Sequence, residues 1–492
     1  METGQAGFDE CRKFGDGAFT RARFRCALWL LVRYPFEMDR LPLYFLAPLL
    51  PFFLAGMALS IIFDLHRSEA GSLYFYDLVG AALGAVLVTL LLHVFGGEAA
   101  LLVGAIAPAV AALLISFSPA SQSAESSKGS GSTSRVFQVA ALIGVLLTAA
   151  AAFSAVQFGS FRVKPGTTKA MRNQMDASPG SKIVQTGWNA YSRIDCVEGL
   201  PNSFARLYID SDAWTGIRGW DGKLESVQDM RGSYRALPFR LTPNAETMII
   251  GPGGGPDVVA ALASGSRKVT AVEMNPLMLK FVRSYGARAG NLYDRPDVET
   301  VLSEGRNFIS RTDRKFDIIL LGFVDSWASV ASGGLSLSEN YLYTTEAMRA
   351  YYDHLSDNGI VVVLRWEMDI PRLVSNAVAT LGASEAAKRI VVLMEKQAGP
   401  NDYPQMLFML RKRPFTEAEL KEISEKWTQA NPIIMPGGTA PPLIADVLAG
   451  RKTLDQYDAS SPRFVGPVWD DSPFISLSIV RSGCPARLLS VC

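Results

Sequence analysis

The chain has 492 residues, room for two domains, with 49% hydrophobic and 19% charged residues and a formal net charge of +1. Soluble domains carry about a quarter charged residues, so the composition points to membrane segments, while the near-zero charge excludes a strongly basic nucleic-acid surface. Five scattered cysteines (Cys11, Cys26, Cys196, Cys484, Cys492) make no CxxC pair, and of three histidines (His66, His93, His354) only His354 lies beyond the apolar half, so neither a metal site nor histidine-driven chemistry is expected.

Residues 1–40 form a basic segment with Arg12, Lys13, Arg21, Arg23, Arg25, Arg33 and Arg40. A transmembrane region is expected over 41–157. Its four apolar stretches, 41–63, 74–95, 99–117 and 136–156, are each close to the roughly 20 residues that a bilayer core requires. Lysine and arginine are dense before the first stretch and return after the fourth as Arg162, Lys164, Lys169 and Arg172, whereas the first loop holds Arg67 alone. The positive-inside rule therefore places both termini and the following domain in the cytoplasm, with a multi-pass inner-membrane anchor. Within the second stretch the Gly80-x-x-x-Gly84 spacing suits close helix packing.

Residues 181–240 read as a small β unit: 192–197 and 206–210 alternate polar and apolar residues, with turns expected over 216–222. From 241 to 480, strand-like runs (247–250, 269–273, 299–302, 317–321, 359–364, 390–394, 406–410) alternate with helical ones such as 257–263, 276–285 and 345–355. Repeated βα units predict a mostly parallel, doubly wound Rossmann-like sheet, with ligands at the carboxyl ends of its strands.

Motifs fall at those ends. The first strand runs into Gly251-Pro-Gly253-Gly-Gly255-Pro256. A dinucleotide fingerprint would require a third glycine where Pro256 stands, and no Gly-Lys-Ser/Thr follows as in a phosphate loop. The Gly251-x-Gly253-x-Gly255 spacing suits an S-adenosylmethionine-type ligand, which carries no pyrophosphate. Glu273 ends the next strand, 22 residues after Gly251, where an acid accepts hydrogen bonds from ribose hydroxyls. Ser303-Glu304-Gly305-Arg306 follows the third strand, where Glu304 can meet an adenine edge. Gly251, Gly253, Gly255, Glu273, Glu304 and Gly305 are the expected cofactor-binding residues.

These segments (IIGPGGGPDVVAAL, VEMNP, SEGRNFI and WNAYSRID) resemble the spermidine synthase-like (polyamine aminopropyltransferase) family over roughly residues 185–394. The stretches LLPFFLAGMALS and YFYDLVGAALGA, with LSLSENYLYTTEAM and Asp470-Asp471-Ser472-Pro473-Phe474, resemble its membrane-bound branch. The resemblance implies an α-helical membrane region followed by a class I S-adenosylmethionine-dependent methyltransferase-type domain. It also implies transfer of an aminopropyl group from decarboxylated S-adenosylmethionine to a di- or polyamine, without a metal. Family members carry a D-S-S-D-P run after the fourth strand; here 320–327 reads Leu-Leu-Gly-Phe-Val-Asp-Ser-Trp, which leaves Gly322 near the first acid and Asp325 as the implied base. The glycine-loop aspartate of the family is also absent. Tyr341 and Tyr191 are the implied substrate-side residues, and Tyr343 is expected to pack against the following helix.

Two other readings stay open. One is a methyltransferase that uses intact S-adenosylmethionine on another acceptor. The other is a non-catalytic protein that senses adenosine metabolites or moves polyamines; four spans are few for transport, so it would call for a homo-oligomer.

Overall fold

The computed structural model describes residues 41–117, 131–161, 164–167, 169–324, 339–396, 405–426 and 430–476. The chain divides into two units: Met1–Ala177 with Gly187–Arg193, and Ser178–Thr186 with Ile194–Cys492.

The first unit is helical. Helices α1 (Leu41–Leu65), α2 (Ala70–Gly104), α3 (Ile106–Ser116) and α4 (Gly131–Phe158) cover the apolar stretches. Gly96, at φ +78°, interrupts α2 in a conformation open to glycine at little cost, between the second and third apolar runs of the sequence. Two stretches, Arg67–Ser116 and Arg135–Phe158, are long and apolar enough to cross a membrane by length and composition; the described apolar part of the first helix is shorter, Leu49–Leu65. Large apolar side chains such as Phe52, Leu101 and Phe158 point outward. A Cβ at Gly80 or Gly84 would meet nothing within 4 Å, so the close packing expected there is not made among the described residues of this chain.

The strands form two sheets, all of whose residues fall in the second unit except Gly187, Trp188 and Arg193. The smaller one has the order β1 (Lys182–Trp188), β2 (Arg193–Glu198), β3 (Ala205–Ile209), β4 (Ala213–Ile217). β4 runs through Gly216, where the sequence suggested a turn.

The larger sheet contains β5 (Glu246–Ile250), β6 (Lys268–Glu273), β7 (Val298–Leu302), β8 (Phe316–Gly322), β9 (Leu355–Trp366), β10 (Ile390–Glu395), β11 (Gln405–Arg411) and β12 (Ala430–Ile434), in the order β12-β10-β11-β9-β8-β5-β6-β7. The five strands from β7 to β9 are parallel, as predicted. The other pairings, β9 with β11, β11 with β10 and β10 with β12, are antiparallel. Only residues 396–404 separate β10 from β11, a hairpin length that is too short for a parallel crossover.

Side chains of the central strands alternate between two buried clusters. Ile249, Ile318 and Leu320 join one, with Val258 and Leu279 from the helices. Met248, Ile250, Ile319 and Leu321 join the other. Burial on both faces explains why these strands read as continuous apolar runs. The helices used below are α5 (Pro256–Ala263), α6 (Pro276–Ser284), α7 (Gly305–Arg311), α8 (Thr345–Asp353) and α9 (Ile370–Leu381). His354 closes α8, its ring nitrogens 2.7 Å from the Ala350 carbonyl and 2.9 Å from that of Thr312.

A polar knot is buried at the carboxyl end of β9. Arg365 Nε donates to Asp369 Oδ2 at 2.8 Å, both side chains nearly inaccessible. Ser476 Oγ donates to Asp369 Oδ1 and accepts from Arg365 Nη2. Removing one member of such a pair strands the other charge at a cost of about 3–5 kcal/mol, whereas replacing both with apolar groups is far milder. Asp369→Ala is therefore expected to destabilise the second unit by about 3–5 kcal/mol, and Arg365→Met/Asp369→Leu by less, as read from denaturant unfolding of the detergent-solubilised protein. A double variant less stable than the single one would contradict this.

Candidate functional site

The chain leaves β5 for β6 on one side, while β8 flanks β5 on the other. At such a switch point a crevice opens beyond the carboxyl ends of the strands. The glycine loop fills its floor. Gly251, Gly253 and Gly255 have φ of +66°, +54° and +93°, and a side chain at Gly254 would overlap the Gly216 carbonyl of β4, 2.2 Å from where its Cβ would stand. Both the left-handed conformations and the close approach call for glycine. Further contacts fix the loop: Gly251 N–H donates to the Val272 carbonyl at 2.9 Å, Gly254 N–H donates to Thr215 Oγ1 at 3.2 Å, and the buried Tyr293 hydroxyl donates to the Gly253 carbonyl at 2.6 Å.

Glu273 ends β6 inside this floor. Its Oε2 accepts from Gly253 N–H at 3.1 Å and its Oε1 from Asn275 N–H at 2.8 Å. A carboxylate has about four acceptor positions, which leaves room for a hydroxyl of a ligand beside the backbone donors. Burial pushes the Glu273 carboxyl above its ordinary range, and the backbone donors at Asn275, Gly253 and Met274 oppose that shift.

Glu304 has a different local task. It is the N-cap of α7, its two oxygens accepting from Arg306 N–H at 2.9 Å and Asn307 N–H at 2.8 Å, which satisfies donors at a helix start. Gly305 packs against Ile250, whose Cγ2 lies 2.4 Å from where a Cβ would be. Next to it, Arg306 reaches Asp470 with two hydrogen bonds of 2.5 and 2.6 Å, which hold the Asp470 carboxyl below its usual range.

At the end of β8 the structure describes the chain as far as Val324, and Asp325 lies outside the described residues. Val324 N–H donates to the Tyr343 hydroxyl at 3.2 Å, and Asn340 Nδ2 donates to the Val324 carbonyl at 3.0 Å. Tyr343 is buried, as expected of a packing residue, and anchors this strand end. Tyr341 is 46% exposed, with its hydroxyl donating to Glu339. Tyr191 is 58% exposed and belongs to the helical unit.

Other residues at the crevice belong to no motif of the sequence. Asp257, the second residue of α5, is 6% exposed and pairs with Arg235 at 3.2 Å. Arg235 also donates to Gln405 Oε1 at 2.7 Å, and the same oxygen accepts from the Tyr234 hydroxyl at 2.8 Å. The guanidinium lies 5.8 Å from the Phe323 ring, which in turn meets Trp366 at 4.8 Å. An acid just past a glycine loop was the one available signal; its partners on three other elements left none.

Comparison with known proteins bears on this geometry. Over 148 residues the chain is 29% identical to a polyamine aminopropyltransferase of Thermococcus onnurineus, covering 29% of this chain and 49% of that protein. Over 182 residues it is 29% identical to the Thermotoga maritima enzyme (37% and 56% covered), and over 117 residues 34% identical to that of Serratia proteamaculans (22% and 40%). The chain is similar to polyamine aminopropyltransferases. It spans about half the length of these aminopropyltransferases. No protein-family model matches it. Among solved structures, spermidine synthase from Thermotoga maritima aligns at 18% identity and a TM-score of 0.39, over 55% of this chain and 88% of that one. A probable spermidine synthase from Corynebacterium glutamicum aligns at 14% and 0.38, over 55% and 96%. These superpositions are partial, and the fold assignment rests on the strand order above.

The two backbone contacts of Glu273 make it the residue to test. Glu273→Gln keeps the shape but puts an amide donor against a backbone N–H, and the expected result is a loss of about tenfold or more in affinity for 5′-methylthioadenosine. Wild-type affinity is also expected to fall on acidification, beginning at a higher pH than for an exposed glutamate, because protonation removes the acceptor and the pKa is raised. Titration calorimetry across pH checks both; an unchanged pH profile in the variant would contradict the assignment.

Proposed function

We propose that the chain is a membrane-anchored aminopropyltransferase of the spermidine synthase type. It would move an aminopropyl group from decarboxylated S-adenosylmethionine to a di- or polyamine. The similarity to polyamine aminopropyltransferases carries this reading, and the loop held by Glu273 at the switch point supports it by offering a seat for an adenosine-bearing donor.

The reaction requires a neutral amine to attack the carbon beside the sulfonium. The new C–N bond forms as the C–S bond breaks, methylthioadenosine leaves, and the proton of the attacking nitrogen passes to a base. On this reading Asp325 is that base, Glu273 holds the ribose, Glu304 and Gly305 border the adenine, and Tyr341 lies on the amine side. Supplied with decarboxylated S-adenosylmethionine and putrescine or spermidine, the detergent-purified protein should release methylthioadenosine. Asp325→Asn should lower that rate by about a hundredfold or more with donor affinity unchanged. Absence of methylthioadenosine with every amine would sink the transfer reading, and adenosylhomocysteine formed from intact S-adenosylmethionine would favour a methyltransferase.

Anchoring rests on the apolar region 41–157, and the lysine and arginine distribution supports a cytoplasmic side for both termini and the second unit. Alkaline carbonate extraction of expressing cells should leave the protein in the membrane fraction; release into the supernatant would contradict anchoring.

A further inference from the structure

The last residue of β8, Gly322, stands at the switch point, and its missing side chain has a consequence for Asp257. A Cβ at position 322 would lie 2.5 Å from Asp257 Oδ2 and 3.6 Å from Cγ. The carboxylate of α5 thus occupies the volume into which any side chain at the end of β8 would project. Its two oxygens differ. Oδ1 accepts from Arg235, whereas Oδ2, the oxygen facing Gly322, accepts no hydrogen bond among the described residues. Although the residue is only 6% exposed, that oxygen keeps its acceptor positions available to a donor in the crevice.

Arg235 is itself held in place. Gln405 at the start of β11 receives it, and Phe323 lies beside the guanidinium. Burial alone would lower the Arg235 pKa, but the Asp257 charge and the Tyr234 hydroxyl together more than offset this and raise it, so the cation is permanent and Asp257 is fixed against it. Of the two groups, Arg235 sets the position and Asp257 presents the free oxygen.

We propose that Asp257 is the anionic contact for the cationic tail of the donor in the crevice between β5 and β8, delivered from the helix rather than from the strand end, with Arg235 as its positioning residue. The inference rests on the aminopropyltransferase reading for the identity of the donor, whose tail carries a sulfonium and a primary ammonium. Gly322 is then a requirement of the arrangement, since it leaves the room that Asp257 fills.

The test separates the charged tail from the adenosine. Binding of decarboxylated S-adenosylmethionine and of 5′-methylthioadenosine, which lacks the charged tail, is measured by calorimetry on the full-length protein in detergent. Asp257→Ala is expected to weaken the first by about ten- to a hundredfold and to leave the second within about twofold of wild type. Gly322→Asp in the wild-type background crowds two carboxylates and should weaken donor binding. Combined with Asp257→Ala it returns a carboxylate to the crevice from the strand end and should recover most of the lost affinity. Retained methylthioadenosine binding certifies that each variant is folded. Equal weakening of both ligands by Asp257→Ala, or of neither, would overturn the proposal, as would a double variant no better than Asp257→Ala. These readouts are of binding, so a wild-type protein that shows the split in affinity but transfers no aminopropyl group would refute the transfer reading and leave Asp257 in its role.

Discussion

The Glu273 carboxylate accepts backbone N–H groups from Gly253 and from Asn275, so one buried charge joins the turn after β5 to the turn after β6. Without those donors, burying the charge would cost several kcal/mol. With them the expense is offset, and the Gly251–Gly253–Gly255 turn is held in conformations that few other residues adopt. The approach of Gly254 to Gly216 depends on that turn, and so does the tie from Tyr293 to the Gly253 carbonyl. Loop, small sheet and crevice floor therefore share one fastening.

The antiparallel half of the large sheet contributes to the same crevice. Gln405 opens β11 beside the end of β9, and its amide oxygen gathers Arg235 and Tyr234. The arginine comes from the segment just before β5, so chain on either side of the parallel core converges on the point where β5 and β8 separate. A sheet that was parallel throughout would place the start of its next strand at the amino end of the strands, away from the ligand end.

Much of this could be read from residue order, for definite reasons. β5, β6 and β8 are apolar runs with burial on both faces, and Glu273 stands at a spacing that ribose recognition imposes. β10 and β11 are equally apolar, but an apolar run reads alike in parallel and antiparallel strands, so strand direction was not legible. β4 was obscured by Gly216, which suggests a turn in sequence and instead permits close approach to Gly254. Glu304 was legible as an acid at a strand end, yet its capping bonds depend on backbone geometry. Arg235 and Asp257 are 22 positions apart with no periodic relation, and Gly322 reads as a lost acid until the volume beside it is seen to be filled.

The strand end that precedes Asp325 is secured from far downstream. Asn340, whose side chain holds the Val324 carbonyl, receives the Pro473 carbonyl on its own N–H at 2.8 Å. Thr345 N–H donates to the Val468 carbonyl at 2.6 Å, and Arg306 clasps Asp470. In vectorial synthesis the chain emerges amino terminus first, so β5 to β9 leave the ribosome before the residues of this clasp do. Val324 and Asn340 therefore acquire their downstream restraints last, and a nascent chain halted before Val468 would lack them.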